Sequence, residues 1–302
     1  MNNKVVIIGC GNVGMAYAYS LLNQRTYVNK LILIDLNKDR IEGEVMDLNH
    51  CLSYAPSKIS INVGDYSDCS DARIVVIAAG ANQKPGETRT DLINKNASIF
   101  KGIVDNVMAS GFNGIFLVAT NPLDVMTYLT YKYSGLPSNQ VIGSGTSLDT
   151  ARLQLMIGKK LCINPKNIQA YVIGEHGDSE FIPWSNANIS LQNIKEFFTD
   201  DELIEIESDV RNAAYHIINK KGATYYGIGM ALVRITNSIL GNENTIIATS
   251  VYDEENDVYV GLPAIINSKG AERRIKLKLS ELETKKLQNS INIIKENINS
   301  VK

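Results

Sequence analysis

The tightest constraint on how this chain folds is Gly9-Cys10-Gly11-Asn12-Val13-Gly14. It spells G-x-G-x-x-G directly after the apolar run Lys4-Val5-Val6-Ile7-Ile8 and directly before a helical pattern that begins near Val13. A glycine triplet of this kind also occurs at tight turns that bind nothing. Here a second apolar run ends in Asp35, about 20 residues further on, where a carboxylate accepts hydrogen bonds from ribose hydroxyls. The pair points to a dinucleotide. Gly11 lets the backbone approach a pyrophosphate, whose charge meets the free amides and positive end of the following helix. Gly9, Gly11, Asn12, Val13, Gly14 and Asp35 are therefore the cofactor-binding candidates. Because Asp35 also repels a 2′-phosphate, NAD is expected over NADP.

Further β-branched runs follow, so that strands are expected at 4–8, 31–35, 59–63, 74–79, 114–119 and 140–143, most of them separated by helical segments. Between 91 and 110, Leu92, Ile93, Ile99, Ile103, Val104 and Val107 fall at helical spacing. Apolar runs without polar alternation are strands covered on both faces, and their alternation with helices implies a doubly wound, mostly parallel sheet of Rossmann type. After Gly143 the pattern changes to longer helices and strand pairs. The expected fold class is thus α/β, with a dinucleotide-binding domain over 1–143 and an α+β catalytic domain over 144–302. A length of 302 residues suits two domains.

Composition narrows the partners. With 30 basic against 32 acidic residues and a net charge of −2, the chain offers no electrostatic footprint for nucleic acid or an anionic membrane. No apolar stretch nears the roughly 20 residues needed to span a bilayer. The run at 5–8 is too short for a secretory signal core, so a cytoplasmic location is expected. Cys10, Cys51, Cys69 and Cys162 form no C-x-x-C pair. They read as four buried, reduced thiols, and no metal site is suggested.

The chemistry is carried by the second half. Thr146 or Ser147 caps an expected helix over about 148–161, stopped by Asn164-Pro165, and within it Asp149 and Arg152 share a face. Gly174-Glu175-His176-Gly177-Asp178-Ser179 follows the apolar run 171–173, read as a strand. Of the three histidines, His50 and His216 read as structural. His176, bracketed by glycines, reads as an imidazole presented with little steric cover. Removing hydride from an alcohol requires a base for the hydroxyl proton, and an imidazole serves in both directions. A carboxylate on its far nitrogen would fix the tautomer and stabilise the imidazolium.

With these residues in view, the chain resembles the lactate/malate dehydrogenase family from Lys4 nearly to its end. The Gly174–Ser179 motif is joined by Leu148-Asp149-Thr150-Ala151-Arg152, Thr120-Asn121-Pro122-Leu123-Asp124, Gly222-Ala223-Thr224-Tyr225-Tyr226-Gly227 and Asn82-Gln83-Lys84-Pro85-Gly86-Glu87-Thr88-Arg89. The resemblance implies His176 as acid/base, Asp149 as its orienting partner, and Arg152 as a two-pronged grip on a substrate carboxylate. It implies that Asn121 bonds the reacting oxygen and adjoins the cofactor. The segment 82–89 resembles a mobile lid bringing Arg89 to the polarised carbonyl. Thr224 would line the substrate pocket and Ile228 the nicotinamide pocket.

Gln83 stands where malate-specific members of the family carry arginine, which implies pyruvate and L-lactate as the substrate pair. Longer aliphatic 2-keto acids stay open, because a pocket separates one methylene from another by only about 1–3 kcal/mol. A non-catalytic NAD-binding protein is the alternative from another class, and the intact set of His176, Asp149, Arg152, Arg89 and Asn121 opposes it. The resemblance further implies a homotetramer or homodimer built through helices at 42–50 and 148–161, without the N-terminal arm of animal members. Many bacterial members are activated by fructose 1,6-bisphosphate through an arginine and a histidine. The matching positions here are Gln154 and Gln169, which implies no activation through that site.

Overall fold

The computed structural model describes residues 2–81, 86 and 89–301, with Arg89 described by its backbone alone. The first half runs β1 (Lys4–Ile8), α1 (Asn12–Leu22), β2 (Lys30–Ile34), α2 (Lys38–Cys51), β3 (Ser60–Val63), β4 (Ile74–Ile77), α3 (Arg89–Ala109), β5 (Ile115–Val118), α4 (Leu123–Ser134) and β6 (Val141–Gly143). The second runs α5 (Ser147–Leu161), β7 (Ile168–Gln169), β8 (Asn188–Ile189), β9 (Gln192–Asn193), α6 (Asp200–Lys221), α7 (Tyr226–Leu240), β10 (Thr245–Asp253), β11 (Val258–Asn267), β12 (Gly270–Arg274) and α8 (Glu281–Asn299).

Strands β1 to β6 are parallel and ordered β6-β5-β4-β1-β2-β3, so the chain reverses direction across the sheet between β1 and β4. Side chains along a strand point alternately to opposite faces. Val5, Ile7, Ile74 and Val76 accordingly enter one buried cluster, and Val6, Ile8, Val75 and Ile77 enter another. Burial on both faces explains why these runs lack polar alternation. Each such side chain contributes about 1.5–3 kcal/mol.

The second half does not build a wholly separate core. Its hairpin β10–β11 extends the same sheet, with Ser250 opposite Gly143, to give nine strands. Its helix α7 lies on α1, where Gly229 lacks the Cβ that would come within 2.8 Å of the Ala16 backbone, and the Tyr17 hydroxyl meets Thr236 Oγ1 at 2.6 Å. A separate cluster forms between α5, α6 and the segment 168–198.

Three local expectations need correction. Thr146 precedes α5 but does not cap it, because its buried hydroxyl donates to the Val172 carbonyl at 2.5 Å. The run 171–173 is no regular strand; isolated bridges pair Ile173 with Phe181 and Gly174 with Gly261. Only Cys10 and Cys69 are buried, whereas Cys51 is half-buried and Cys162 exposed, all four being free.

Candidate active site

Every parallel strand that leads into a candidate residue does so at its carboxyl end, and the reversal between β1 and β4 opens a crevice there. Gly9 ends β1 with φ +93°, and a Cβ on it would come within 2.3 Å of Ala79 after β4. Gly14 faces the Gly9 carbonyl, which a Cβ would meet at 2.1 Å. Gly11 differs, since nothing lies within 4 Å of where its Cβ would stand. Two glycines thus close the turn and the third leaves room outside it.

Helix α1 begins at Asn12 and Val13 with no side-chain cap and no acid in its first turn. Its first amides are available to an anion. Asp35 is half-buried at the end of β2, where Oδ2 accepts the Cys10 amide at 2.8 Å and Oδ1 the Asn37 amide at 3.0 Å. It therefore anchors the glycine turn, a role not foreseen from sequence, and each oxygen keeps a lone pair for a ribose hydroxyl. Open space at Gly11, uncapped amides and a fixed carboxylate are what a dinucleotide requires.

Asn121 is exposed beyond β5, and its carbonyl accepts the side-chain amide of buried Asn96 at 3.1 Å. The Asn96 oxygen accepts the Ala81 amide at 2.8 Å, so one α3 side chain ties the ends of β4 and β5 together. Thr224 is half-buried just before α7, and Ile228 in the first turn of α7 packs against the first cluster. Gln83 and the side chain of Arg89 lie outside the described residues; the Arg89 backbone opens α3.

His176, Asp149 and Arg152 come together as the sequence suggested. Asp149 is 2% exposed in the first turn of α5. Its Oδ2 meets His176 Nδ1 at 2.7 Å, and its Oδ1 accepts Arg152 Nη1 at 2.6 Å. The glycines serve a different purpose from the one expected. Gly174 takes φ +98° where a Cβ would strike Ser290 of α8 at 2.6 Å, and its amide and carbonyl both pair with Gly261 of β11. They allow close packing, and the His176 side chain is only 25% exposed. His50 and His216 are exposed on α2 and α6, away from the buried core.

Two carboxyls near His176 carried no role in the sequence reading. Asp124, in the first turn of α4, is 2% exposed and accepts the His176 amide at 2.8 Å and the Ser250 hydroxyl at 2.5 Å. Its place at the end of the Thr120–Asp124 motif was the available signal. Glu180 is 5% exposed. Burial pushes Asp124 up to about 6 and, with Asp149 acting in the same direction, Glu180 up to about 8. Burial opposes the His176 imidazolium, but the Asp149 carboxylate outweighs it and holds the ring up at about 9. Burial likewise opposes ionised Asp149, and His176 and Arg152 overcome it to hold that carboxyl below its usual range. At neutral pH the site therefore contains an imidazolium ready to donate a proton.

Comparison with known proteins agrees in both halves. Residues 3–143 match the lactate/malate dehydrogenase NAD-binding domain, and residues 146–302 match the α/β C-terminal domain of the same family. The chain is 53% identical over 304 residues to an L-lactate dehydrogenase of Bacillus pumilus (strain SAFR-032), covering 97% of this chain and 96% of that protein. Among solved structures, it resembles a lactate dehydrogenase from a Medee basin deep-sea metagenome library at 53% identity and a TM-score of 0.96, covering 99% of each chain. It also resembles the ligands-bound form of the minor L-lactate dehydrogenase of Enterococcus mundtii at 41% identity and a TM-score of 0.97, covering 100% of this chain and 99% of that one.

Proposed function

The chain belongs to the lactate/malate dehydrogenase family, and from that premise we propose that it is an NAD-dependent L-lactate dehydrogenase interconverting pyruvate and L-lactate. The observation that carries the chemistry is His176 bonded through Nδ1 to Asp149, whose other oxygen holds Arg152. With Nδ1 committed, the mobile proton sits on Nε2. In pyruvate reduction His176 gives that proton to the carbonyl oxygen, and in lactate oxidation it takes the hydroxyl proton back. Asp149 stays ionised, orients the ring and stabilises its charge. Arg152 offers its remaining guanidinium N–H groups to the substrate carboxylate, and Asn121 offers its amide to the reacting oxygen. Thr224 borders the substrate, and the family resemblance assigns Gln83 to the methyl end of the substrate and Arg89 to the polarised carbonyl.

Gly9, Gly11, Asn12, Val13 and Gly14 would receive the pyrophosphate, Asp35 the ribose, and Ile228 with Asn121 the nicotinamide end. When bound, NAD exchanges a hydride with the substrate carbon. The protein would work in fermentative glycolysis, in the cytoplasm. Supporting that location, the exposed Cys162 is a free thiol. Tyr19 on α1, Met46 on α2, Leu155 on α5 and Met230 on α7 are apolar and at least 46% exposed, which supports assembly into a homotetramer through helical faces. Sedimentation would distinguish it from a homodimer. For the activity, pyruvate, oxaloacetate and 2-ketoisocaproate are added in turn while NADH absorbance is followed. Pyruvate is expected to give the highest kcat/KM, and a higher value for either of the others would overturn the substrate assignment.

A further inference from the structure

The cluster around His176 holds one more acid than the proton transfer uses. A Glu180 carboxylate oxygen, a His176 ring nitrogen and an Asp149 oxygen all lie within 4.8 Å of one another. Among the described residues no hydrogen bond or ion pair reaches the Glu180 carboxyl, whereas its acidic neighbours are engaged. Asp149 holds His176 and Arg152, Asp124 holds Ser250 and the His176 amide, and Glu175 accepts the Ser179 hydroxyl.

Charged groups on the packed elements bond to groups other than the Glu180 carboxyl, although the buried Nε of Arg211 has no hydrogen-bond partner among the described residues. From α5, Arg152 is bonded to Asp149. From α6, Arg211 gives Nη2 to the main-chain carbonyl of Glu180 at 3.2 Å and to Glu207 at 3.2 Å. From α8, Lys286 closes on the same Glu207 at 2.9 Å. Asp178, in the same loop as Glu180, accepts the Tyr215 hydroxyl. Glu180 is left facing the imidazole without a counter-ion of its own.

Resting on the reading of His176 as the acid–base group, we propose that Glu180 is a positioning residue: its unpaired, buried carboxyl acts through His176 to set how firmly the ring holds the proton it exchanges with substrate. Near neutral pH burial keeps Glu180 protonated, so it places no charge beside the imidazolium. As pH rises past about 8 it ionises, and the new negative charge strengthens the hold of His176 on its own proton. The two groups titrate as a pair, and the range over which His176 remains a proton donor extends upward. A substrate carboxylate arriving at Arg152 adds negative charge and draws Glu180 back to its protonated form.

The test is Glu180→Gln, which keeps the shape and removes the charge. Histidine labelled with 13C in the ring is titrated by NMR, His176 being identified by the signal lost in His176→Gln, and kcat/KM for pyruvate is measured across the same pH range. The His176 midpoint is expected to fall by at least about half a pH unit, and the alkaline limb of kcat/KM to move with it, about a twofold loss at pH 9. Glu180→Asp, which retains a carboxyl set back by one methylene, is expected to recover part of the shift. It also serves as the test variant, with a smaller fall in the same direction, if circular dichroism shows that Glu180→Gln is unfolded. An unmoved midpoint in the folded variant would overturn the role of Glu180. Wild-type inactivity on every 2-keto acid would instead overturn the functional reading, while the NMR midpoint still decides this one.

Discussion

The two halves of the molecule build their sites from opposite materials. At the glycine turn the site is made of backbone and of missing side chains: Gly9 and Gly14 permit contacts that a Cβ would forbid, and Gly11 leaves open space. Around His176 the site is made of buried charge, and each group there depends on its neighbour for its ionisation. A backbone site is robust to changes of charge but intolerant of bulk. A charge site accepts isosteric changes of shape and fails when one partner is neutralised.

The sharpest test of this contrast is His176→Gln. Turnover is expected to fall about 100-fold or more, because general acid–base catalysis contributes that order, while NAD affinity by fluorescence titration stays within about twofold, since the turn built on Gly9 and Gly14 is untouched. Loss of coenzyme binding together with turnover would show the halves to be one unit. Next in size is Gln83→Arg. A new guanidinium facing a second substrate carboxylate is expected to move the oxaloacetate-to-pyruvate ratio of kcat/KM upward about 10- to 100-fold. A static ratio would mean that position 83 does not meet the substrate.

On the other side of the comparison, Asp35→Ser removes a ribose acceptor and a charge that repels a 2′-phosphate. It also removes the anchor that holds the Cys10 amide. The affinity for NAD is expected to fall about tenfold and the margin over NADP to narrow, as read from KM for each coenzyme. A variant that loses NAD affinity but keeps the original margin would leave Asp35 as an anchor alone.

Stability should respond to pH through the second half. The folded-state affinity of His176 for its proton is raised from 6.5 to about 9, so its contribution is full below pH 6.5 and is lost as pH climbs through 9. Glu180, raised from 4.5 to about 8, has the same sign, because the folded state binds the extra proton. Thermal unfolding of the wild type should therefore move to lower temperature between pH 6.5 and 9. His176→Gln should flatten that slope, and an equal slope in both proteins would place the titration elsewhere.

The same contrast explains what could be read in advance. The glycine turn, the positions of the parallel strands and Asp35 at the end of β2 were legible because each is a local requirement, written in spacing along the βαβ units. The strands expected at 74–79 and 114–119 are nonetheless shorter, ending at Ile77 and Val118. The triad of His176, Asp149 and Arg152 was legible because its motifs are distinctive. What escaped were properties set by distant packing. Asp124 meets Ser250 across 126 positions, and this depends on β10 joining β6. The burial of Glu180 depends on how α6 and α8 close over it. Thr146 has the residue type of a helix cap, but its hydroxyl is claimed by Val172 from outside the helix. An apolar run at 171–173 has strand composition, yet it finds only single bridging partners.

The smallest expected effect concerns a site between the two kinds. Where part of the family binds a sugar bisphosphate with arginine and histidine, this chain has Gln154 and Gln169. Gln154 is committed to structure, its Nε2 donating to the Ile168 carbonyl at 3.2 Å and the Ala170 carbonyl at 3.4 Å, the residues on either side of Gln169. An amide stitched to the backbone of β7 supplies no positive charge, and each missing charge-assisted contact would forgo roughly 1.5–3 kcal/mol. Of the nearby lysines, Lys160 is paired with Glu205 at 3.1 Å, which leaves Lys159 and Lys166 as exposed cations at that end of α5. Pyruvate saturation is expected to be close to hyperbolic and to change less than about twofold in half-saturation on adding millimolar fructose 1,6-bisphosphate at fixed ionic strength near neutral pH. A large drop in half-saturation would show that the charge-built logic of the second half extends to this surface. Lys159→Gln and Lys166→Gln would then reveal whether those side chains have taken over the phosphate contacts.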